Sequence, residues 1–220
     1  MSAPPGIALE LHCAGYARMP LTPAGHDALA AVRDCARTLL GQQDRLDVAV
    51  PAGAAAGPAG RYAALPPAIR SAAVPVLDAY ERLAAAAARE VLAQVESYLP
   101  GCALSGGTLA GALEVTAYRR PQPAPVPRTG QAEPFALQLT AVTRSDISLD
   151  VAGVTVTVPG TWPWEVLILP GPQLVLASDG AISAPRARIR TLGLPGPAIA
   201  VTFTATAARR PRRRTETGSG

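Results

Sequence analysis

His12 and His26 are the only imidazoles in this chain of 220 residues, and none follows residue 26. A catalytic iron centre of the two-histidine, one-carboxylate kind needs two imidazoles on facing elements. Both histidines are read instead as surface or helix-face residues. The chain has no lysine and no asparagine, so all 20 basic side chains are arginine. That excludes a lysine Schiff base and the lysine of a phosphate-binding loop. The Gly-rich stretch "LSGGTLAG" lacks the Gly-Lys-Ser/Thr ending of such a loop and reads as a turn. Cys13, Cys35 and Cys102 are odd in number, widely separated and free of C-x-x-C spacing. They read as small hydrophobes rather than zinc ligands or a redox pair.

Charge and hydropathy narrow the partners. Much of the formal net charge of +4 sits in Arg209, Arg210, Arg212, Arg213 and Arg214. With no interleaved aromatics and a Gly-Ser-Gly end, residues 209–220 are expected to be a disordered basic tail, not a nucleic-acid site. No apolar run reaches the ~20 residues that cross a bilayer. The N-terminus lacks the basic and apolar regions of a secretory signal, which makes the cytoplasm the expected compartment.

The elements that must position any site follow from periodicity. Ile7 to Leu11 is strand-like. Thr22 can cap a helix in which Pro23 suits the first turn, and Leu29, Val32, Cys35, Ala36, Leu39 and Leu40 form a helical stripe. A second helix is expected from Pro66 to about Leu99, with Leu77, Tyr80, Leu83, Ala87, Val91 and Val95 on one face and Pro75 kinking or starting it. After Pro100 the period becomes two. "ALEVTAYR", "FALQLTAVT", "ISLDVAGVTVTVP", "WEVLIL", "QLVLAS", "RARIR" and "AIAVTFTAT" read as strands separated by turns. Helices followed by strands imply an α+β domain over residues 1–208, mainly helical in 1–100 and closing as a sandwich or jelly roll in 101–208. The Pro-rich run Arg119 to Pro134 is either a surface detour or a lid.

These landmarks resemble the isopenicillin N synthase-like branch of the iron(II)- and 2-oxoglutarate-dependent oxygenases. "LHCAGYARM" and the helix after it are similar to the family's N-terminal strand and helix, and "LEVTAYRRP" stands where the family has a strand ending in Tyr-Pro. "GPQLVLASDGAISAPRARI" matches, without a gap, the pattern Gly-Asp-x-Leu-x-x-x-(Ser/Thr)-Asn-Gly followed by His-Arg-Val, through Gly171, Leu174, Ser178 and Gly180. The resemblance implies a double-stranded β-helix (jelly-roll) barrel with N-terminal helices packed on it.

In the same register the metal site is missing. The histidine of His-Arg-Val falls on Ala187, beside Arg188. The family's His-x-Asp, counted back from Leu139-Thr140-Ala141-Val142, falls on Glu133 and Phe135, or on Gln131 and Glu133 if shifted by two. The Arg-x-Ser that grips 2-oxoglutarate falls on Ala198 and Ala200. The resemblance therefore implies a degenerate member, with no metal and no cofactor.

Strand alternation in such a barrel turns Glu133, Phe135 and Ala187 inward, with Tyr118, Ile189 and Ala200 lining the same space. Glu133 is either a desolvated general acid or a solvated loop residue, and Tyr118 would be its hydrogen-bonding companion. Trp162 and Trp164 are packing at a barrel end or, for Trp164, a substrate wall. Three functions fit. A cofactor-free cyclase or isomerase, possibly a pericyclase, would hold a small hydrophobic polyketide-like substrate and act by preorganisation plus one acid. A non-catalytic pseudo-oxygenase would bind a ligand or a partner enzyme. An oxygenase with unusual ligands would use Glu133 with Asp146 or Asp150.

Overall fold

The computed structural model describes residues 6–41, 45–50, 62, 65, 67–102, 104, 109–119, 123–125, 135–160, 163–191 and 196–207. The opening segment is a helix, α1 (Ile7–Ala14), and not the strand expected from Ile7 to Leu11. Ile7, Ala8 and Leu11 are buried at helical spacing, and Gly15, left-handed at φ 73°, ends the helix by donating its N–H to the Leu11 carbonyl at 3.1 Å. Strand β1 (Ala17–Pro20) follows. Helix α2 (Pro23–Leu40) begins as its sequence predicts: the Thr22 hydroxyl accepts the Gly25 N–H at 3.3 Å, and Leu29, Val32, Ala36 and Leu40 are buried.

After β2 (Arg45–Val50) comes the 32-residue helix α3 (Pro67–Tyr98), which contains Pro75 instead of starting there. Its buried stripe runs through Leu77, Tyr80, Ala84, Ala87, Val91 and Val95; Leu83 is only half-buried. The strand half contributes β3 (Leu109–Tyr118), β4 (Pro123–Pro125), β5 (Leu137–Thr143), β6 (Ser145–Val151), β7 (Val154–Val158), β8 (Glu165–Pro170), β9 (Arg186–Thr191) and β10 (Ala198–Ala207). "QLVLAS", expected as a strand, is the short helix α4 (Pro172–Ala177). Pro172 fits the first helical position and the Ser178 N–H closes back on the Leu174 carbonyl at 2.9 Å.

The strands form two antiparallel sheets. The larger has the order β1-β8-β5-β10-β3-β2 and the smaller β4-β9-β6-β7. Period-two alternation divides the large sheet's side chains between two cores. One face, including Leu113, Val115, Leu139, Ile168, Val201 and Phe203, packs with the helices in the main core. The opposite face sends Val142, Leu167, Leu169 and Ala200 against Ile147, Leu149, Val158 and Ile189 of the small sheet. This is a jelly-roll with helices on one side, the α+β architecture expected.

Two departures matter for the site. β1 and β2 come from the helical half yet form both edges of the large sheet. The Pro-rich run is not all loop, because Pro123–Pro125 pairs with β9, Pro125 opposite Arg188. Proline lacks an N–H and is tolerated at the outermost strand of a sheet, which is where β4 lies.

Candidate functional site

The position read as the distal iron ligand, Ala187, lies on β9 opposite Leu149 of β6 and is half-buried at the margin of the inter-sheet core. Ile189 and Ala200 belong to the same core, each 2% exposed. They pack with the other buried residues of the core between the sheets. Leu167, Leu169, Val142 and Leu149 are among these residues. At ~1.5–3 kcal/mol for each fully buried large aliphatic side chain, this core is part of what holds the sheets together.

The other expected site residues do not converge there. Glu133, with Gln131 of the alternative register, lies outside the described residues, as does Trp162. Phe135 is half-buried and packs on Gly171, where a Cβ would collide with its ring and carbonyl; that carbonyl accepts the Gln173 N–H at 3.0 Å. Next to it, Ala136 donates to the Ala205 carbonyl, whereas Tyr118 pairs with Ala198. Ala198 and Ala205 are seven residues apart on β10, roughly 23 Å at ~3.3 Å per residue, so Tyr118 and Phe135 occupy opposite ends of the sheet. Trp164 is not a wall of the barrel: it is 69% exposed and stacks on His26 of α2 at 5.2 Å between ring centroids. Asp146 and Asp150 alternate with the inward Ile147 and Leu149, so they face away from the core, and Asp150 accepts the Gly153 N–H in the β6–β7 turn at 3.1 Å.

Among the described residues the donor chemistry does not fit an iron centre. His26 stands on α2 beside Trp164, and His12 Nδ1 lies 3.2 Å from the Tyr98 hydroxyl between α1 and α3. Neither belongs to the barrel. Among the described residues no three His, Cys, Asp or Glu side chains come together as a ligand set. Ala198 and Ala200, at the start of β10, offer no cation to a dicarboxylate.

What the barrel face does hold is a polar group on β3 and its edge neighbour β2. Leu113, Val115 and Ala117 face the helices, so Glu114, Thr116 and Tyr118 face the other way. Register places Arg45 opposite Tyr118 and Asp47 opposite Thr116 on β2. Arg45 Nε donates to Asp47 Oδ2 at 2.5 Å, and its guanidinium lies over the Tyr118 ring, 5.4 Å from the centroid. Burial pushes the Glu114 carboxyl up from its ordinary value, the Asp47 carboxylate adds to this, and Arg45 opposes it. Tyr118 is also raised, first by burial, with Arg45 opposing and the Asp47 and Glu114 carboxylates adding. Thr116 is 1% exposed, and its hydroxyl has no hydrogen-bond partner among the described residues. Further along the same face, Thr202 lies 3.3 Å from Thr140, and Gln138 donates to Thr204 at 3.2 Å. Tyr118 was legible from its strand end. Glu114, Thr116, Asp47 and Arg45 were not singled out, although the alternation of "LEVTAY" carried the signal.

The architecture is that of 2-oxoglutarate- and iron(II)-dependent oxygenases in solved structures. JOX2 in complex with 2OG, Fe and JA is similar with a TM-score of 0.64 at 11% identity, over 92% of this chain and 70% of that one. A full-length Neurospora crassa protein in complex with alpha-KG and 5-formyluracil gives 0.63 at 11%, over 94% and 78%. The rice dioxygenase for auxin oxidation gives 0.57 at 16%, over 94% and 81%. At these identities the likeness defines the fold. No model of a known protein family matches the sequence, and no curated protein matches it significantly.

Proposed function

We propose that this chain is an oxygenase-fold protein that works without iron or 2-oxoglutarate, as a ligand-binding pseudo-oxygenase. The observation that carries the reading is Ala187, which the sequence register sets where the family has a ligating histidine and which packs at the edge of the core between the sheets. Both histidines standing on helices outside the barrel supports the same conclusion. Binding is assigned to the barrel-side face of β2 and β3, where polar groups persist.

The test is thermal melting with iron(II) plus 2-oxoglutarate and with chelator. A ligand that binds only the native state raises stability by RT ln(1 + [L]/Kd). The expected outcome is the same melting temperature with either addition as in plain buffer. A rise with iron and 2-oxoglutarate that chelator reverses would overturn the proposal.

A second reading has its own observation. Glu114 and Tyr118 project from one face of β3, a carboxyl and a phenol that both hold their protons more tightly than usual. Such a pair suits a cofactor-free cyclase or isomerase acting on a polyketide-like substrate, with Glu114 as the general acid. On any substrate the native protein turns over, Glu114→Gln and Tyr118→Phe should then each lower kcat by ~10²-fold or more. Full activity in both variants would remove this reading.

A further inference from the structure

We infer that the barrel-side face of β2 and β3 binds a primary ammonium group, held by Glu114 and Thr116 beside Tyr118. The inference rests on the ligand-binding reading above and names the chemistry of its ligand. Glu114, Thr116 and Tyr118 are alternate residues of one strand, about 6.6 Å apart in sequence steps of ~3.3 Å, so a group between the first two can reach both. On the β10 side these residues meet Thr202, Ala200 and Ala198 in register. The two alanines add no polar atom beside Thr116 and Tyr118.

Charge decides the ligand. Asp47 is engaged by Arg45, whose guanidinium is also committed to the Tyr118 ring. Glu114 has neither a hydrogen bond nor an ion pair among the described residues, so among those residues two carboxylates face one guanidinium. A half-buried carboxylate of this kind is stabilised by a cation and destabilised by an anion. The Thr116 hydroxyl is a second, independent requirement. It is buried without a partner among the described residues, a state that costs roughly 1–3 kcal/mol unless something hydrogen-bonds to it. A primary ammonium carries three N–H donors and no acceptor. It can donate to the Glu114 carboxylate and to the Thr116 oxygen at once, with the third donor free for Tyr118 Oη.

The experiment uses the full chain and three probes of one size, butylammonium, 1-butanol and butyrate, each titrated by calorimetry at pH 7 and paired with melting curves. Butylammonium should bind saturably in the millimolar range and raise the melting temperature; butanol and butyrate should not. Glu114→Gln should weaken butylammonium by at least about tenfold, as loss of a charge-assisted hydrogen bond predicts. Thr116→Val should weaken it several-fold without lowering the stability of the free protein. Glu114→Asp, which keeps the charge and shortens the reach, should fall between native and Glu114→Gln, so the series can be read even if one variant folds poorly. Asp150→Asn, on the outer face of β6, should bind as the native protein does. Absence of saturable butylammonium binding, equal binding of butyrate, or unchanged affinity in Glu114→Gln would overturn the inference. Iron uptake is a separate measurement, so failure of the pseudo-oxygenase reading is distinguishable from failure here.

Discussion

Tyr80 and Thr116 each bury a hydroxyl with no hydrogen-bond partner among the described residues, but their surroundings differ. Tyr80 stands in the middle of α3, fully buried in the apolar main core, and burial alone pushes its phenol up. With no charge or donor beside it, the hydroxyl has only a desolvation cost. Tyr80→Phe is therefore expected to leave stability unchanged or raise it by up to about 1–2 kcal/mol in denaturant unfolding. Thr116 instead sits between Glu114 and Tyr118, opposite Asp47. Glu114 makes its own prediction. Its folded-state pKa is raised above the ordinary 4.5, so its stabilising contribution is present at lower pH and is lost as pH rises through the folded value. Glu114→Gln should accordingly melt higher than the native protein at pH 7, and the difference should close in acid. A difference that instead grows in acid would contradict the assignment. This residue was readable from the polar face of "LEVTAY". Counting from a motif selects Glu133, whereas burial of a carboxyl depends on which strands flank it, which no count supplies.

At the scale of elements, the motif that carried the family resemblance proves to be scaffold. Gly171 lets the chain pass Phe135, Leu174 is buried in the main core, and the Ser178 hydroxyl accepts the Ile182 N–H at 3.2 Å. Asp179 and Gly180 then take left-handed backbone, φ 52° and 77°. Each of these residues serves the turn itself, whether or not a metal follows. Long periodic elements such as α2, α3, β3 and β10 were legible for the same reason: repetition over ten or more residues averages out local ambiguity. Short ones were not. "QLVLAS" is apolar and partly β-branched, and over six residues period two and period 3.6 are indistinguishable. The β6–β7 hairpin turns on Ala152 and Gly153, both at positive φ, 50° and 83°. This is the mirror-image turn that favours Asn-Gly. An alanine there is strained, so Ala152→Asn should stabilise the protein by roughly 0.5–1 kcal/mol, read as a higher melting temperature. A lower one would mean that the turn is held by contacts outside the hairpin.

For the whole molecule, the shift from helical to strand periodicity and the order of landmarks made the jelly-roll legible. The state of its interior was not. A sequence can show that a ligand position holds Ala187, but whether that position opens on a cavity depends on side chains arriving from β5, β6, β8 and β10, which no local pattern fixes. Ile189 and Ala200, for example, are buried with Leu149 and Leu167 in the core between the sheets. Among the described residues no helix is long and apolar enough to cross a membrane. The central claim is that an oxygenase fold persists here after its iron chemistry has gone. The most direct measurement is an anaerobic calorimetric titration of the metal-free protein with iron(II), with and without 2-oxoglutarate. The account predicts no saturable heat in either case; a single site of micromolar affinity, tightened by 2-oxoglutarate, would contradict it.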